Sequence, residues 1–193
     1  GFSRELGLPG EFVRANLYDA ATVLGRTYDI VFTSEGVLCW LPDLTGWARV
    51  IADLLAPGGT FYLMEGHPFV QVFDDAEVPD GIAIKDGYFD RRALPFGPGP
   101  SYAGPEKTLP ASVEWMHSLS DIVNALIEAG LTIQRLGEHP TAFFQQFKVM
   151  EGSFEEGHDL PGDLRGKLPM RFSVRATKPA PSGFSGGQRP AGR

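Results

Sequence analysis

The segment from Tyr28 to Pro68 constrains the fold of this 193-residue chain more than any other segment. It opens with the apolar run YDIVFT, typical of a strand covered on both faces, and closes with a second apolar run, TFYLME. Between these runs, apolar residues recur at the spacing of one buried helical face: Trp47, Val50, Ile51, Leu54 and Leu55. A helix that links two strands in this way predicts a parallel βαβ unit with a right-handed crossover.

Flanking residues predict where this helix begins and ends. Pro42 and Asp43 suit its first turn, and Pro57-Gly58-Gly59 is expected to end it before the strand Thr60–Met64. Polar segments follow both strands, and the carboxyl ends of parallel strands form the ligand crevice of a doubly wound sheet. We therefore expect the chain after Phe32 and after Met64, and also after Ala15, to converge on one rim.

Weaker patterns predict the other elements. Phe12–Asn16 is strand-like, and Asp19–Leu24 is predicted to form a short helix. Ser118 to Asp121 fits a capping box, and Gly130 is expected to end the helix that follows. Four residues are predicted to form its buried face: Ile122, Val123, Leu126 and Ile127.

Two strands are predicted near the carboxyl end of the chain. Leu131–Leu136 is the first, and residues 170–177 alternate between apolar and polar side chains with period two. We expect the two to pair as an antiparallel edge. Residues 179–193 are poor in apolar side chains and predict a disordered tail.

Residues 69–116 break the pattern, because this stretch is rich in proline and glycine with scattered aromatics. Gln71–Phe73 and Ile82–Ile84 are predicted to be short strands within it. A long irregular segment inside one compact domain is usually functional. We therefore interpret it as a lid or substrate-binding insertion in a domain that spans residues 1–178.

Composition bears mainly on partners. A formal charge of −7 and a pI near 5.1 argue against nucleic-acid binding, which needs clustered basic residues. No apolar run is long enough for a membrane span and no secretory signal is present, so a cytoplasmic protein is expected. Cys39 is the single cysteine, which excludes an internal disulfide, and its apolar neighbours predict a buried, inert thiol. The oligomeric state is left open.

In this order, the elements resemble the carboxy-terminal part of the class I S-adenosylmethionine-dependent methyltransferases. The resemblance runs from Phe2 to Lys178 and rests on YDIVFTSEG, WLPDL, LLAPGG, TFYLMEGHP and HSLSDIVNALIEAGL. It implies an α/β fold with a Rossmann-like, doubly wound, mostly parallel sheet and an antiparallel carboxy-terminal edge hairpin. It also implies S-adenosylmethionine as cofactor and methyl transfer to a small-molecule acceptor as the reaction.

The sequence departs from the family in its first strands. The family carries a glycine-rich turn and an acidic ribose-binding residue there, and this sequence contains neither. The chain is similar to strands three to seven of the family's seven-stranded sheet, so we expect an amino-terminally truncated domain. We also expect these residues alone to bind the cofactor weakly and to be inactive unless the missing half is supplied.

The resemblance places six residues at the cofactor: Asn16, Leu17, Thr33, Ser34, Glu35 and Gly36. Asn16 would contact the adenine with the Leu17 backbone beside it, and Asn stands where many relatives have Asp. The others would lie near the methionine part, where Gly36 would let the backbone approach closely. Without the resemblance, Ser34 to Gly36 could equally be a plain turn after a strand.

The acceptor side offers fewer signals, because methyl transfer needs positioning more than a compact catalytic motif. Glu65 and His67 follow the second strand and His117 precedes a helix, so each could orient or deprotonate an acceptor. Tyr102 and Trp115, in or beside the insertion, are candidate substrate-binding residues. Each of these five residues also has a purely structural interpretation, such as a turn, a helix start or a core position.

Two questions about function stay open from the sequence. Glu138-His139-Pro140 echoes the end of the second strand, but the spacing fits no local ligand motif, and we predict no metal site. A non-catalytic Rossmann-like binding module is the main alternative to a methyltransferase. A nicotinamide-dependent oxidoreductase is a weaker alternative, since it would require further parallel crossovers. A serine hydrolase is disfavoured because no Gly-x-Ser-x-Gly elbow occurs.

Overall fold

The computed structural model of the chain describes residues 5–7, 9–74, 81–101 and 104–181. Two predictions lie outside this part of the chain, namely the substrate contact of Tyr102 and most of the disordered tail. The helices and strands, in chain order, are α1 (Ala20–Leu24), β1 (Tyr28–Thr33), α2 (Leu44–Leu54), β2 (Leu55–Gly66), β3 (Phe73–Asp74), β4 (Ala83–Ile84), β5 (Ala93–Phe96), β6 (Gly99–Ser101), β7 (Gly104–Leu109), β8 (Ser112–Trp115), α3 (Leu119–Glu128), β9 (Thr132–His139), β10 (Glu151–Ser153), β11 (Gly157–Asp159) and β12 (Arg171–Thr177).

The central sheet has the strand order β1-β2-β12-β9. Strands β1 and β2 are parallel, with Thr33 opposite Leu63, and α2 connects them. Strand β12 pairs antiparallel with both β2 and β9. The predicted α/β fold with its βαβ unit and antiparallel edge pair is therefore confirmed.

Helix α2 covers one face of this sheet. It begins at Asp43, whose side chain accepts a hydrogen bond from the Gly46 amide at 2.9 Å. The predicted apolar face is buried, and Trp47 is 0% exposed, with its ring edge against Phe61 at 5.8 Å between centroids. Helices α2 and α3 share one apolar core with β2 and β12.

The predicted end of α2 is wrong. The helix ends at Leu54, and Pro57-Gly58-Gly59 belongs to β2 instead of stopping the helix. Backbone pairing explains the difference, because the Gly58 amide donates to the Lys178 carbonyl at 2.8 Å and the Lys178 amide donates to Gly59 at 3.0 Å. A residue that is distant in sequence thus pairs with Gly58 and Gly59, although Gly58 keeps a left-handed φ of +82° and the pairing with β1 is irregular here.

The side chain of Lys178 caps the end of α2. Its ammonium group donates to the carbonyls of Ala52 at 2.7 Å and Leu55 at 2.9 Å. These carbonyls have no partner within the helix, and a cation here also complements the helix dipole. The carboxyl end of β12 is therefore fixed to the start of β2.

Helix α3 begins with the predicted capping box. Ser118 accepts from the Asp121 amide at 3.2 Å, and the Asp121 carboxylate accepts from the Ser118 amide at 2.9 Å. Ile122 and Leu126 are buried as expected. Ile127 is not, since it is 52% exposed at the edge of the face that packs on the core.

The amino-terminal strand prediction is also wrong. Residues 12–16 form no strand, and Phe12 is 84% exposed. An extended apolar segment needs a neighbouring strand, and within the described residues the sheet ends at β1. The Asn16 side chain instead caps a 3₁₀ turn, Leu17–Asp19, by accepting from the Tyr18 amide at 3.0 Å.

One flank of the sheet is apolar and open in the described part of the chain. Ile30 is 70% exposed and Phe32 is 58% exposed, both on the same side of β1. Phe32 stacks on Tyr62 of β2 with ring centroids 5.8 Å apart. This face of the sheet therefore carries large apolar side chains that the described helices leave uncovered.

The insertion contains short antiparallel pairs. Strand β3 pairs with β4, β5 with β8, and β6 with β7, which gives the segment more regular structure than the sequence indicated. The predicted strand Gln71–Phe73 is a 3₁₀ turn, Val70–Val72, that runs into β3. In the part of the chain that the structure describes, no helix has the length and apolar character to cross a membrane.

Candidate functional site

Glu65 fixes the loop after β1 to the end of β2. It is 5% exposed, and its carboxylate accepts hydrogen bonds from the backbone amides of Gly36, Val37 at 2.9 Å and Leu38 at 3.2 Å. The Gly66 amide also donates to it at 3.1 Å. Two of the three chain segments expected to converge therefore do so. Both carboxylate oxygens are engaged, which favours a positioning role for Glu65 over a direct role in proton transfer.

His67 lies two residues after Glu65 and is buried. Both nitrogens of its ring have a hydrogen-bond partner. Its Nδ1 accepts a hydrogen bond from the Phe69 amide at 3.1 Å, so the proton lies on Nε2, which is 3.1 Å from Oε1 of Glu138. Burial lowers the pKa of His67, and the neighbouring Glu138 carboxylate offsets this only in part. The imidazole is therefore a neutral link between the ends of β2 and β9.

Arg171 joins three chain segments at the same rim. Its guanidinium lies 3.2 Å from the Glu35 carboxylate and donates to the Thr141 carbonyl at 2.7 Å. Glu35 and Arg171 are both largely shielded, with side chains 25% and 23% exposed. Glu35 is therefore paired within the protein, so its predicted contact with a cofactor would have to involve the second carboxylate oxygen or the backbone.

The other predicted cofactor residues after β1 lie around this anchored loop. Thr33 is buried at the end of the strand, whereas Ser34 and Gly36 are exposed. Gly36 has a φ of +79°, and a Cβ atom added to it would meet nothing within 4 Å. The left-handed backbone requires glycine here, and open space lies beside it.

Asn16 and Leu17 lie against the start of α2. The Tyr18 hydroxyl accepts from the Asp43 amide at 3.1 Å, and Leu17 packs at the edge of the main core. Oδ1 of Asn16 is used in capping Tyr18, which leaves its side-chain NH₂ as a donor. Their roles in cofactor binding stay predictions.

His117 lies at the junction of the insertion and α3. Its Nε2 lies 2.7 Å from the Leu41 carbonyl, and burial lowers its pKa, so the ring is neutral near pH 7. It lines a cavity of about 280 Å³ together with Pro42, Arg91 and Asp121. Within this cavity, Arg91 and Asp121 form an ion pair at 2.6 Å.

Trp115 separates this cavity from a larger one of about 310 Å³. Together with Met116, it contributes to the walls of both cavities, so the two are adjacent. The larger cavity lies between the insertion and the segment that follows β9, and its lining includes Gln71, Phe73, Asp74, Asp86, Leu94, Phe96, Glu114, Gln146 and Phe147. The predicted substrate residue Trp115 is thus placed where a ligand could contact it.

Sequence reasoning missed two polar residues of this region, Glu114 and Arg171, and it considered Glu138 only as a metal ligand. Glu114 and Arg171 lie in short alternating strands, where a charged side chain ordinarily indicates a solvent-facing position. Only the tertiary arrangement shows that Glu114 faces a cavity and that Arg171 reaches across to Glu35. Cys39 is only partly buried, in contrast to the prediction, but burial raises the pKa of its thiol to about 12 and keeps it protonated.

No family model and no curated protein matches the sequence. Comparison of the structure with solved structures nevertheless shows which fold it has. The fold is that of the class I S-adenosylmethionine-dependent methyltransferases, which confirms the resemblance at the level of the fold.

Three solved structures illustrate the match. An S-adenosylmethionine-dependent methyltransferase from Mesorhizobium loti shares 20% identity with a TM-score of 0.55, over 91% of this chain and 73% of that one. The glycopeptide N-methyltransferase MtfA, complexed with S-adenosylmethionine, shares 14% identity with a TM-score of 0.51, over 92% of this chain and 71% of that one. A Listeria monocytogenes protein matches with 16% identity and a TM-score of 0.53 over 79% of this chain, which spans 62% of its length.

Proposed function

We propose that this chain forms part of an enzyme that transfers a methyl group from S-adenosylmethionine to a small-molecule acceptor. The observation that carries the proposal is the anchoring of the β1 loop to the end of β2 by Glu65, within a fold of this class. This anchor fixes the rim at which ligands bind in doubly wound sheets. Strand β8, whose Trp115 lines both cavities, packs against residues 38–40 beside this anchored loop, so the two adjacent cavities provide space for an acceptor.

The described residues fit part of the cofactor. The open space beside Gly36 and the exposed Ser34 suit its methionine end, and the side-chain NH₂ of Asn16 suits an acceptor atom on its adenine. A glycine-rich turn and an acidic ribose-binding residue are not among these residues. We therefore propose that the 193 residues by themselves bind the cofactor weakly.

When bound, S-adenosylmethionine supplies an already activated methyl group, so the protein must mainly orient the acceptor and exclude water. We assign orientation to Glu65, whose four accepted hydrogen bonds keep the rim rigid, and to His67, which links β2 to β9. Trp115 and Met116, which contribute to both cavities, would contact the acceptor. His117 lines the smaller cavity in its neutral form and is our candidate for a proton-accepting role.

The alternatives make different demands on the structure. A nicotinamide-dependent oxidoreductase would extend its sheet by parallel crossovers, whereas β12 and β9 close this one in antiparallel fashion. A non-catalytic binding module is consistent with the open apolar flank formed by Ile30 and Phe32. A non-catalytic module would bind neither S-adenosylmethionine nor a nicotinamide cofactor.

Thermal unfolding of the complete gene product, with the 193-residue chain measured alongside, tests the proposal. Ligand binding raises the midpoint by an amount set by concentration and affinity. We expect S-adenosylhomocysteine to raise the midpoint of the complete product, and NADH to leave it unchanged. The 193-residue chain should respond weakly, and titration calorimetry that shows micromolar affinity for it would refute our expectation about the separate chain.

The remaining outcomes of this test identify the other functions. A rise with NADH alone would replace the methyltransferase by an oxidoreductase. No response of the complete product to either compound would support the non-catalytic module.

A further inference from the structure

We propose that the larger cavity binds an amine in its ammonium form, and hence that the methyl acceptor is an amine nitrogen. The identification of the amine as methyl acceptor rests on the proposed methyl transfer. The binding of an amine to the cavity can be tested without any cofactor. It depends on the charge and the aromatic character of the cavity wall, and on the position of β8, which carries Glu114 and Trp115 and packs against residues 38–40, directly after the loop that Glu65 anchors.

The charge of the wall is negative. Asp74, Asp86 and Glu114 all line the cavity, and its described lining includes no lysine or arginine. Two of the three are partly offset from outside the lining, because Lys85 pairs with Asp74 at 2.6 Å and the Arg92 guanidinium interacts electrostatically with Asp86, whereas Glu114 has no such cation among the described residues. The cavity therefore disfavours a carboxylate or phosphate ligand and favours a cation.

Aromatic rings make up much of the remaining wall, from Phe73, Phe96, Trp115 and Phe147. The faces of such rings attract an ammonium ion, and this attraction strengthens when the cation leaves water. A volume of about 310 Å³ lies at the lower end of the range for small-molecule sites, roughly 300 to 1,000 Å³. The cavity therefore suits a small amine.

Glu114 is a partly buried carboxylate of this wall. Burial raises the pKa of Glu114, which disfavours its ionised form. An ammonium ion bound against Glu114 would favour the ionised carboxylate and relieve this cost. Gln71 and Gln146 add amide oxygens to the same wall, which can accept the other N–H bonds of an ammonium group.

A metal ion is a weaker candidate for the same wall. Within the described ranges, no group of three histidine, cysteine, aspartate or glutamate side chains is arranged to hold a metal ion. Hard divalent ions also require several oxygen ligands at close range, whereas aromatic residues make up much of this wall.

In the proposed transfer, the amine loses a proton before it takes up the methyl group. The bound ammonium first loses one proton to a cavity carboxylate or to water, which frees the nitrogen lone pair. The nitrogen then forms a bond to the methyl carbon while the bond from that carbon to sulfur breaks. The electron pair of the broken bond stays on sulfur, which becomes a neutral thioether, and the product is a methylated ammonium.

The test compares three probes of similar size on the 193-residue chain without cofactor: 2-phenylethylamine, 2-phenylethanol and phenylacetate. Near pH 7.5 the first is a cation, the second is neutral and the third is an anion. We expect two-dimensional NMR titration to give a dissociation constant at least about tenfold lower for the amine than for the alcohol, with the indole signal of Trp115 shifted. Phenylacetate should bind more weakly than the alcohol.

Variants that remove one negative charge each show which carboxylates cause the preference for the amine over the alcohol. Glu114→Gln should reduce the ratio of amine to alcohol affinity to within about threefold, and Asp86→Asn should reduce it in the same direction. Glu155→Gln removes the same charge from an exposed position outside the cavity, and it should leave the ratio unchanged. If Glu114→Gln fails to fold, the Asp86→Asn result decides the matter.

The two proposals can fail separately. Equal or weaker binding of the amine than of the alcohol would overturn the amine assignment, whatever the cofactor experiment shows. An amine preference that survives both Glu114→Gln and Asp86→Asn would also overturn it, because the recognition would then lie elsewhere. Amine selectivity in a protein that does not respond to S-adenosylhomocysteine would support the ammonium site and refute methyl transfer.

Discussion

The Glu65 carboxylate accepts a hydrogen bond from the Val37 amide at 2.9 Å, although 28 residues separate the two along the chain. Together with the Leu38 bond, this contact connects the carboxyl ends of both parallel strands. A buried carboxylate that accepts several amide hydrogen bonds compensates for its own desolvation. The Glu65 side chain therefore holds the loop after β1 against the end of β2.

Replacement of Glu65 by Gln should destabilise the fold by about 1 to 3 kcal/mol. The variant keeps one acceptor oxygen but turns an NH₂ group toward backbone amides that are donors themselves. Urea denaturation measures the change, and Glu155→Gln, at an exposed position, is the matched control with little expected effect. Equal midpoints for the two variants would contradict the anchoring role.

The free energy of unfolding should fall as the pH drops below about 6.5, the ordinary pKa of histidine. Burial lowers the folded pKa of His67 and of His117 below 6.5, so the unfolded chain takes up protons first on acidification. Each histidine then contributes a slope of at most about 1.4 kcal/mol per pH unit, which begins near pH 6.5 and ends below the folded pKa.

The comparison of wild type with the variant His67→Gln/His117→Gln isolates this effect. Unfolding free energies measured near pH 7.5 and near pH 5.5 should differ more for the wild type than for the double variant. His139 and His158 are present in both proteins and cancel in the comparison. Parallel pH profiles for the two proteins would show that neither histidine titrates as expected.

Two tryptophans offer a matched test of the core. Trp47 is 0% exposed and Trp40 is 49% exposed, although both lie in the segment that links β1 to β2. Trp47→Ala should cost about 3 to 5 kcal/mol, because the core cannot close around the lost ring. Trp40→Ala should cost about 1 kcal/mol or less. Guanidinium denaturation gives both values, and similar losses would mean that α2 is not packed as described.

Tyr88 attaches the insertion to α3. Its hydroxyl accepts a hydrogen bond from the Leu119 amide at 3.0 Å, and this amide lies in the first turn of the helix, where it has no intrahelical partner. Tyr88→Phe should therefore cost about 0.5 to 1.5 kcal/mol and speed hydrogen exchange at Leu119. Tyr62→Phe makes the same chemical change on β2 and should leave exchange at Leu119 unaltered. Unchanged exchange in Tyr88→Phe would show that the hydroxyl does not hold the helix start.

The elements that the sequence predicted well are those whose pattern has one physical interpretation. In α2, apolar residues repeat at helical spacing on one face, and the residues of that face are buried. In β12, strict alternation predicts a strand with one buried side, and Phe172 and Val174 are both 0% exposed. The capping box at Ser118 was equally specific, since it requires two residues at a fixed distance.

The errors arose where structure depends on partners that are distant in sequence. Pro57-Gly58-Gly59 looks like a helix stop, but it pairs with Lys178 and extends a strand. Phe12–Asn16 has strand composition, yet it forms no strand in the described structure. Local propensity cannot supply a neighbouring strand, and the pairing decides the outcome.

The site shows the same division. The strand pattern placed Glu65 and His67 at the carboxyl end of β2, where the structure also has them, and their roles stay predictions. It could not reveal that backbone amides bind Glu65, because backbone groups leave no trace in a sequence. Likewise, nothing local to Glu114 distinguishes a cavity wall from solvent.

The cap that Lys178 places on α2 has a practical consequence for shortening the chain. A protein cut immediately after Lys178 would retain both the cap and the two backbone bonds to Gly58 and Gly59. A cut one residue earlier would remove all of them and leave two carbonyls bare at the junction between helix and sheet. Lys178 is therefore the earliest carboxy-terminal end point for a shortened protein intended for crystallisation.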